Sequence, residues 1–220
     1  MTQQGKNAID LVLAESLIEL SAKKPIDKIT IKEITDKAGV IRPTFYNHFQ
    51  DKYELIEWII KSELLEPIKP LLNAGMIFEA IVLMLNNISA NSVFYKKALK
   101  LEGAVTFNQI AMKCVYEMFM NIINEKSTGK KSKYRWLTPE VISTYYAQSL
   151  CFITEGWIAQ GMDDIEPKEM AEAYMYLITR SMDDILSELQ RTIAMENDGL
   201  SKLIKRHHKE ACVHINMKML

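Results

Sequence analysis

Six residues between Arg42 and Lys52 carry groups that can read or grip a polyanionic duplex. The Arg42 guanidinium can donate two hydrogen bonds to guanine O6 and N7. Pro43 and the Thr44 methyl can contact a thymine methyl, and the Thr44 hydroxyl can bond a base or a phosphate. Tyr46 and His48 have polar tips that can reach phosphate oxygens. Lys52 would add an ammonium to the free backbone N–H groups of a helix start, together a seat for phosphate. Thr30, upstream, occupies a similar helix start. Plainer readings stand beside these, with Tyr46 as a core tyrosine and Arg42 as a solvated surface arginine. Metal binding by His48 is disfavoured, since no second histidine or carboxylate stands at ligand spacing.

Such groups need short helices to present them. From Asn7 to Ala22, apolar residues such as Ile9, Leu13, Leu17 and Leu20 recur at helical spacing. Pro25 ends that helix, because the residue before a proline is pushed out of helical geometry. In TIKEITDKAG, Thr30 and Glu33 form a capping-box pattern and Gly39 supplies a left-handed stop, which leaves barely two turns between them. The stretch from Arg42 to His48 holds one more short helix. Asp51 and Glu54 form a second capping box, opening a fourth helix that runs to about Glu66. Pro67 and Pro70 should break the chain there, at the boundary between a first domain (1–66) and a second (67–195). Two short helices joined by a glycine turn and braced on both sides form a helix-turn-helix, whose second helix enters the major groove. Phe45 and Phe49, four apart, share one face and should anchor that helix.

The segment TIKEITDKAGVIRPTFYNHFQDKYEL resembles the DNA-binding domain of the TetR/AcrR family of transcriptional regulators, over about residues 7–66. The shared core is AGV-x-R-x-T-F-Y-x-H-F-x-x-K-x-x-L. The resemblance implies a homodimer on a near-palindromic double-stranded DNA operator, with DNA contacts at Thr30, Arg42, Pro43, Thr44, Tyr46, His48 and Lys52. Ile41 departs from the family, which usually has Ser or Thr capping the recognition helix; losing that cap costs roughly 1 kcal/mol. A finer likeness, in FYKKALKLEGAVTFNQIAMKCVYEMF and ITEGWIAQGMDDIEPKEMAE, is to a subgroup that includes activators of dihydroxyacetone kinase operons. Those work with a protein co-regulator instead of a conventional inducer. A repressor controlled by a small molecule or co-regulator is the first reading. A co-activator of that subgroup, or a protein–protein interaction module, is the alternative.

The rest of the chain reads as helix throughout, so the fold class is all-α. Expected helices span about Met76–Ile88, Ser92–Leu101 and Val105–Asn124, then Pro139–Gln160 and Pro167–Ile193, separated by polar or glycine-containing turns. Met and aromatic residues crowd this half. At helical spacing they are core first, but Phe94, Phe107, Met112, Tyr116, Phe119, Tyr146 and Phe152 are candidates to line an effector pocket, with Glu102 and Glu155 as candidate charged contacts. The last two long helices should dimerise as a four-helix bundle through Ala147, Cys151, Ile158, Tyr174, Ile178 and Met182. The tail 196–220 is basic and aperiodic, and reads as a weakly docked extension.

Bulk composition limits the alternatives. The 220 residues are 48% hydrophobic and 25% charged with a net charge of −1, so any DNA-binding face must be local. Cys114, Cys151 and Cys212 are far apart, which suggests neither a disulfide framework nor a zinc site and fits a reducing cytoplasm. No apolar run approaches the roughly 20 residues that span a membrane. No catalytic constellation, Gly-rich phosphate loop or HExxH occurs, so neither an enzyme nor a cofactor is expected.

Overall fold

The helices begin where the sequence supplies caps. In the computed structural model, which describes residues 3–103, 105–126, 132–188 and 190–191, all regular structure is helical. Helix α1 (Gln3–Lys23) is followed by a single 3-10 turn (Ile26–Lys28) and then by α2 (Ile31–Ala38). Thr30 caps α2 in a full capping box: its hydroxyl accepts from Glu33 N, and Glu33 Oε2 accepts from Thr30 N at 2.9 Å. Gly39 closes the helix at φ 68°. Helix α3 (Arg42–Tyr46) then starts at Ile41 with no side-chain cap, leaving its first N–H groups to water. Asp51 Oδ1 caps α4 (Lys52–Ile59), accepting from Tyr53 N at 2.8 Å and Glu54 N at 2.9 Å. Glu54 reaches back one residue farther than a capping box requires and accepts from Gln50 N at 2.6 Å.

The prolines do not break the chain at residue 67. After α4 the backbone widens into a π-helical turn (Ile60–Leu65) and continues directly as α5 (Glu66–Asn73), which ends at Gly75 with φ 78°. Pro67 has no N–H, so it cannot bond the Glu63 carbonyl one turn back. Asn87 Nδ2 donates to that carbonyl instead, at 2.9 Å. A residue 24 positions away thus removes the penalty that would have ended the helix.

Helices α6 (Ile77–Ala90) and α7 (Ser92–Ala98) meet at an 88° bend. Helix α8 (Phe107–Lys126) opens with a Thr106–Gln109 capping box, in which Gln109 Oε1 accepts from Thr106 N at 2.9 Å. Helix α9 (Pro139–Ala159) has Thr138 as its cap and packs along α8. Gly161 follows at φ 102°, and α10 (Pro167–Thr179) comes next. Residues up to Tyr174 form one compact unit and those from Met175 a second. In the second unit the expected helix to Ile193 is interrupted after Thr179, and residues 182–188 are helical again. Ser181 begins that new helix as its cap: its Oγ donates to Asp184 Oδ2 at 2.6 Å and accepts from Asp184 N at 3.2 Å. The tail expected at 196–220, and Cys212 in it, lie outside the described residues.

Candidate nucleic-acid interface and ligand cavity

Helix α3 is held by its aromatic face. Phe45 and Phe49 are buried with ring centroids 5.9 Å apart, and Phe49 meets Trp58 of α4 edge-on at 6.3 Å. The opposite face is open: Arg42, Pro43 and Tyr46 are exposed and Thr44 is half-buried. The Arg42 guanidinium makes no hydrogen bond or ion pair to any described residue. Those four residues lie together on one solvent-facing surface, as a recognition helix requires.

Two other residues expected to touch DNA turn inward. His48 has a side chain only 1% exposed, and its Nδ1 lies 2.5 Å from Asp10 Oδ1 on α1. It ties the end of α3 to the helix behind it. Lys52 spends its three ammonium protons on backbone carbonyls, donating to Ile26 O at 3.0 Å, Asp27 O at 2.7 Å and Ile29 O at 3.2 Å. Burial lowers the pKa of that ammonium, and the Asp27 carboxylate offsets part of the effect. Lys52 therefore staples the 3-10 turn to the start of α4. Thr30 has its hydroxyl in the capping box. The Glu33 partner is held at a pKa of about 2, chiefly by a hydrogen bond from Lys24 and then by the Thr30 N–H and hydroxyl. Neither inward tie was legible from spacing, since the partners lie 23–38 residues away.

The helix-turn-helix is coupled to the helices downstream of it. Glu57 on α4 accepts from Lys61 at 2.7 Å and from Lys113 of α8 at 2.8 Å, and Lys61 also pairs with Glu117 at 2.7 Å. Burial alone would push the Glu57 carboxyl up, but hydrogen bonds from Lys113 and Lys61 hold it below its ordinary range. Helix α1 packs on α7, so two routes join the reading head to the second half.

Beneath the π-turn lies an apolar cavity of about 40 Å³. Ile60, Leu64 and Leu65 form its wall on one side, with Met84, Phe107 and Leu150 among the residues facing them. Of the seven aromatic and Met candidates, Phe107 lines this cavity. Phe94 is buried beside Tyr95, Met112 and Tyr116 are half-buried, and Phe119 and Tyr146 stack with centroids 5.8 Å apart. Phe152 is 76% exposed and stands on the surface. Tyr95 and Thr154 also line the cavity, and each has an enclosed hydroxyl without a hydrogen-bond partner. Glu155 sits on its edge, whereas Glu102 is exposed.

Four of the six residues expected at a dimer interface lie inside the subunit: Ala147, Cys151, Ile158 and Tyr174 are all buried. The physical reason is the helix period: these residues fall on the inner face of the packed helices. Tyr174 meets the Ser149 hydroxyl at 3.1 Å, and burial pushes the Cys151 thiol up to about 12. Ile178 is half-buried and Met182 is exposed. The apolar residues that α9 leaves in water are Tyr145 and Phe152, one heptad apart, with Trp136 just before the helix. Among the described residues no single helix is long and apolar enough to cross a membrane, and no His, Cys, Asp and Glu cluster could hold a metal ion.

Known proteins agree with this arrangement. The family described as bacterial regulatory proteins, tetR family, matches residues 15–59, and a transcriptional regulator C-terminal region of the same family matches residues 76–180. The HTH-type dhaKLM operon transcriptional activator DhaS of Lactococcus lactis subsp. lactis (strain IL1403) is 26% identical over 152 residues, 68% of this chain and 79% of that protein. A solved structure of the dihydroxyacetone kinase operon activator DhaS superposes with a TM-score of 0.53 at 20% identity, covering 83% of this chain and 96% of that one. Native NalD, the secondary repressor of the MexAB-OprM multidrug efflux pump in Pseudomonas aeruginosa, superposes with a TM-score of 0.51 at 13% identity, over 77% and 94%. The two family matches take in most of the chain, on both sides of the π-turn, and the chain belongs to the TetR family of bacterial transcriptional regulators.

Proposed function

We propose that this regulator binds a near-palindromic operator as a homodimer, and that occupancy of its second half alters DNA affinity. The observation that carries this reading is the division of α3. Phe45 and Phe49 fix the helix from behind, while Arg42, Pro43, Thr44 and Tyr46 share its open face. Arg42 reads guanine, Pro43 and the Thr44 methyl contact thymine methyls, and Tyr46 reaches phosphate. His48 and Lys52 position the reading head from inside. The Lys52 backbone N–H at the start of α4 and the Thr30 helix start remain the phosphate seats. A mobility-shift titration with DNA upstream of the protein's own gene, repeated over a salt series, tests the reading. Specific binding that weakens steeply with salt is expected, because phosphate contacts release counterions. Weak binding indifferent to sequence would sink it.

Dimerisation is proposed through the exposed apolar face of α9, with Tyr145 and Phe152 at its centre. Phe152→Glu should shift the light-scattering mass from two subunits to one while leaving helical content unchanged. An unchanged dimer mass would move the interface elsewhere. Half-sites lie about 34–36 Å apart, so small changes in subunit spacing would weaken simultaneous engagement. The sign of regulation has two readings. Repression follows from operator occupancy, while likeness to an operon activator, DhaS, favours activation. A promoter–reporter fusion in strains with and without the gene separates them.

A further inference from the structure

The cavity beneath the π-turn contains two hydrogen-bonding groups with nothing to bond. Tyr95 is fully buried, and a buried hydroxyl without a partner is costly unless something fills that role. The Thr154 hydroxyl is enclosed in the same way. We propose that this cavity takes a neutral ligand of about three to five non-hydrogen atoms with one hydroxyl or carbonyl oxygen, that is, a short-chain alcohol or ketone. The proposal rests on the reading that occupancy of the second half controls DNA affinity.

Size sets the upper bound. The cavity measures about 40 Å³, whereas a site that admits a benzene ring is roughly 150 Å³. Charge is disfavoured by the walls, since an ion surrounded by Ile60, Leu64, Leu65, Met84 and Leu150 would lose its hydration without compensation. The one carboxyl at the edge, Glu155, already accepts from Asn108 Nδ2 at 2.7 Å. Burial pushes its pKa up, which favours the neutral form. A single ligand oxygen can serve either hydroxyl while the carbon chain fills the apolar remainder.

The position suits a regulatory ligand. Three of the wall residues lie on the π-turn, which is continuous with α4 of the helix-turn-helix. Tyr95 lies on α7, which packs on α1. A ligand wedged between them bears on both helices that brace the reading head. Wide turns of this kind occur often at functional sites.

Methyl NMR on the full-length protein labelled at its methionines tests this without DNA. Met84 lines the cavity, and exposed Met182 reports non-specific solvent effects. Titration with 2-butanol should shift the Met84 methyl saturably and leave Met182 in place. Tyr95→Phe and Thr154→Val, which retain shape, should each weaken binding about tenfold. Saturable binding equally tight in both variants would overturn the hydrogen-bonding role. Preferential binding of n-propylammonium would overturn the neutral class in favour of a cation at Glu155. A Met84 methyl unmoved by either probe would mean the cavity holds water or nothing, and would overturn the site. Mobility shifts with and without 2-butanol then test regulation alone. Altered affinity supports it, and unaltered affinity in a protein that binds 2-butanol overturns the regulatory role while leaving DNA binding intact.

Discussion

The helix-turn-helix and the interior of the second half treat their polar groups in opposite ways. In the first, His48 is bonded to Asp10, Lys52 to three carbonyls and Thr30 to Glu33. What remains free there, above all Arg42, faces water, where an unmet donor costs little. In the second, the hydroxyls of Tyr95, Ser143 and Thr154 are enclosed and unpartnered. The reading head is thus internally complete and exposes its function on a surface. The second half has unmet bonding capacity inside it, and two of those groups border one cavity.

Breaking the completed region should have the largest effect. His48→Ala removes the partner of an Asp10 side chain that is 11% exposed, leaving a nearly buried carboxylate unpaired. Loss of about 3 kcal/mol of stability is expected, from the bond and the stranded charge together. Urea unfolding followed by circular dichroism measures it. A loss below about 1 kcal/mol would place the pair among weak surface contacts and undo the contrast. Arg42→Ala should leave stability unchanged but cost about 1–3 kcal/mol in operator binding and relax sequence preference at one position. Equal losses on specific and random DNA would demote Arg42 from reading a base to holding the backbone.

How much of this could be read in the sequence depends on distance along the chain. Thr30 with Glu33, Gly39, Asp51, Thr138 with Pro139, and Gly161 are local devices, and each starts or stops its helix where the pattern says. The exposed face of α3 was legible too, because Phe45 and Phe49 fix which side turns inward. The inward turn of His48 and Lys52 was not, since their partners come from α1 and the 3-10 turn. Pro67 misled for the same reason: Asn87, far downstream, takes the carbonyl that the proline leaves free. On α9, hydrophobicity alone did not separate the inner Ala147 and Cys151 from the outer Tyr145 and Phe152. The cavity needed four separate segments brought together, and no spacing announces that.

A smaller effect is expected where the reading head is locally incomplete. Ile41 is 69% exposed and offers α3 no side-chain cap. Ile41→Ser should gain about 1 kcal/mol of local stability by accepting a bond from the first turn. Slower amide exchange across 43–46 reports it. If exchange there is unchanged while operator affinity rises, the free protein already orders α3 and the cap acts only on the complex.

The smallest effect carries the most informative sign. A buried tyrosine whose hydroxyl is bonded loses about 1 kcal/mol on conversion to phenylalanine, because the bond goes and its partner is stranded. Tyr95 has no partner to strand, and burial together with the nearby Glu63 carboxylate pushes its phenol far above the ordinary value, so it remains a neutral hydroxyl. Tyr95→Phe should therefore leave the melting temperature unchanged or raise it slightly, by at most about 1 kcal/mol of stability. The comparison is His48→Ala under identical conditions, where the sign is firmly negative. A clear destabilisation by Tyr95→Phe would mean that an ordered water already satisfies the hydroxyl, and the interior would then be as complete as the reading head.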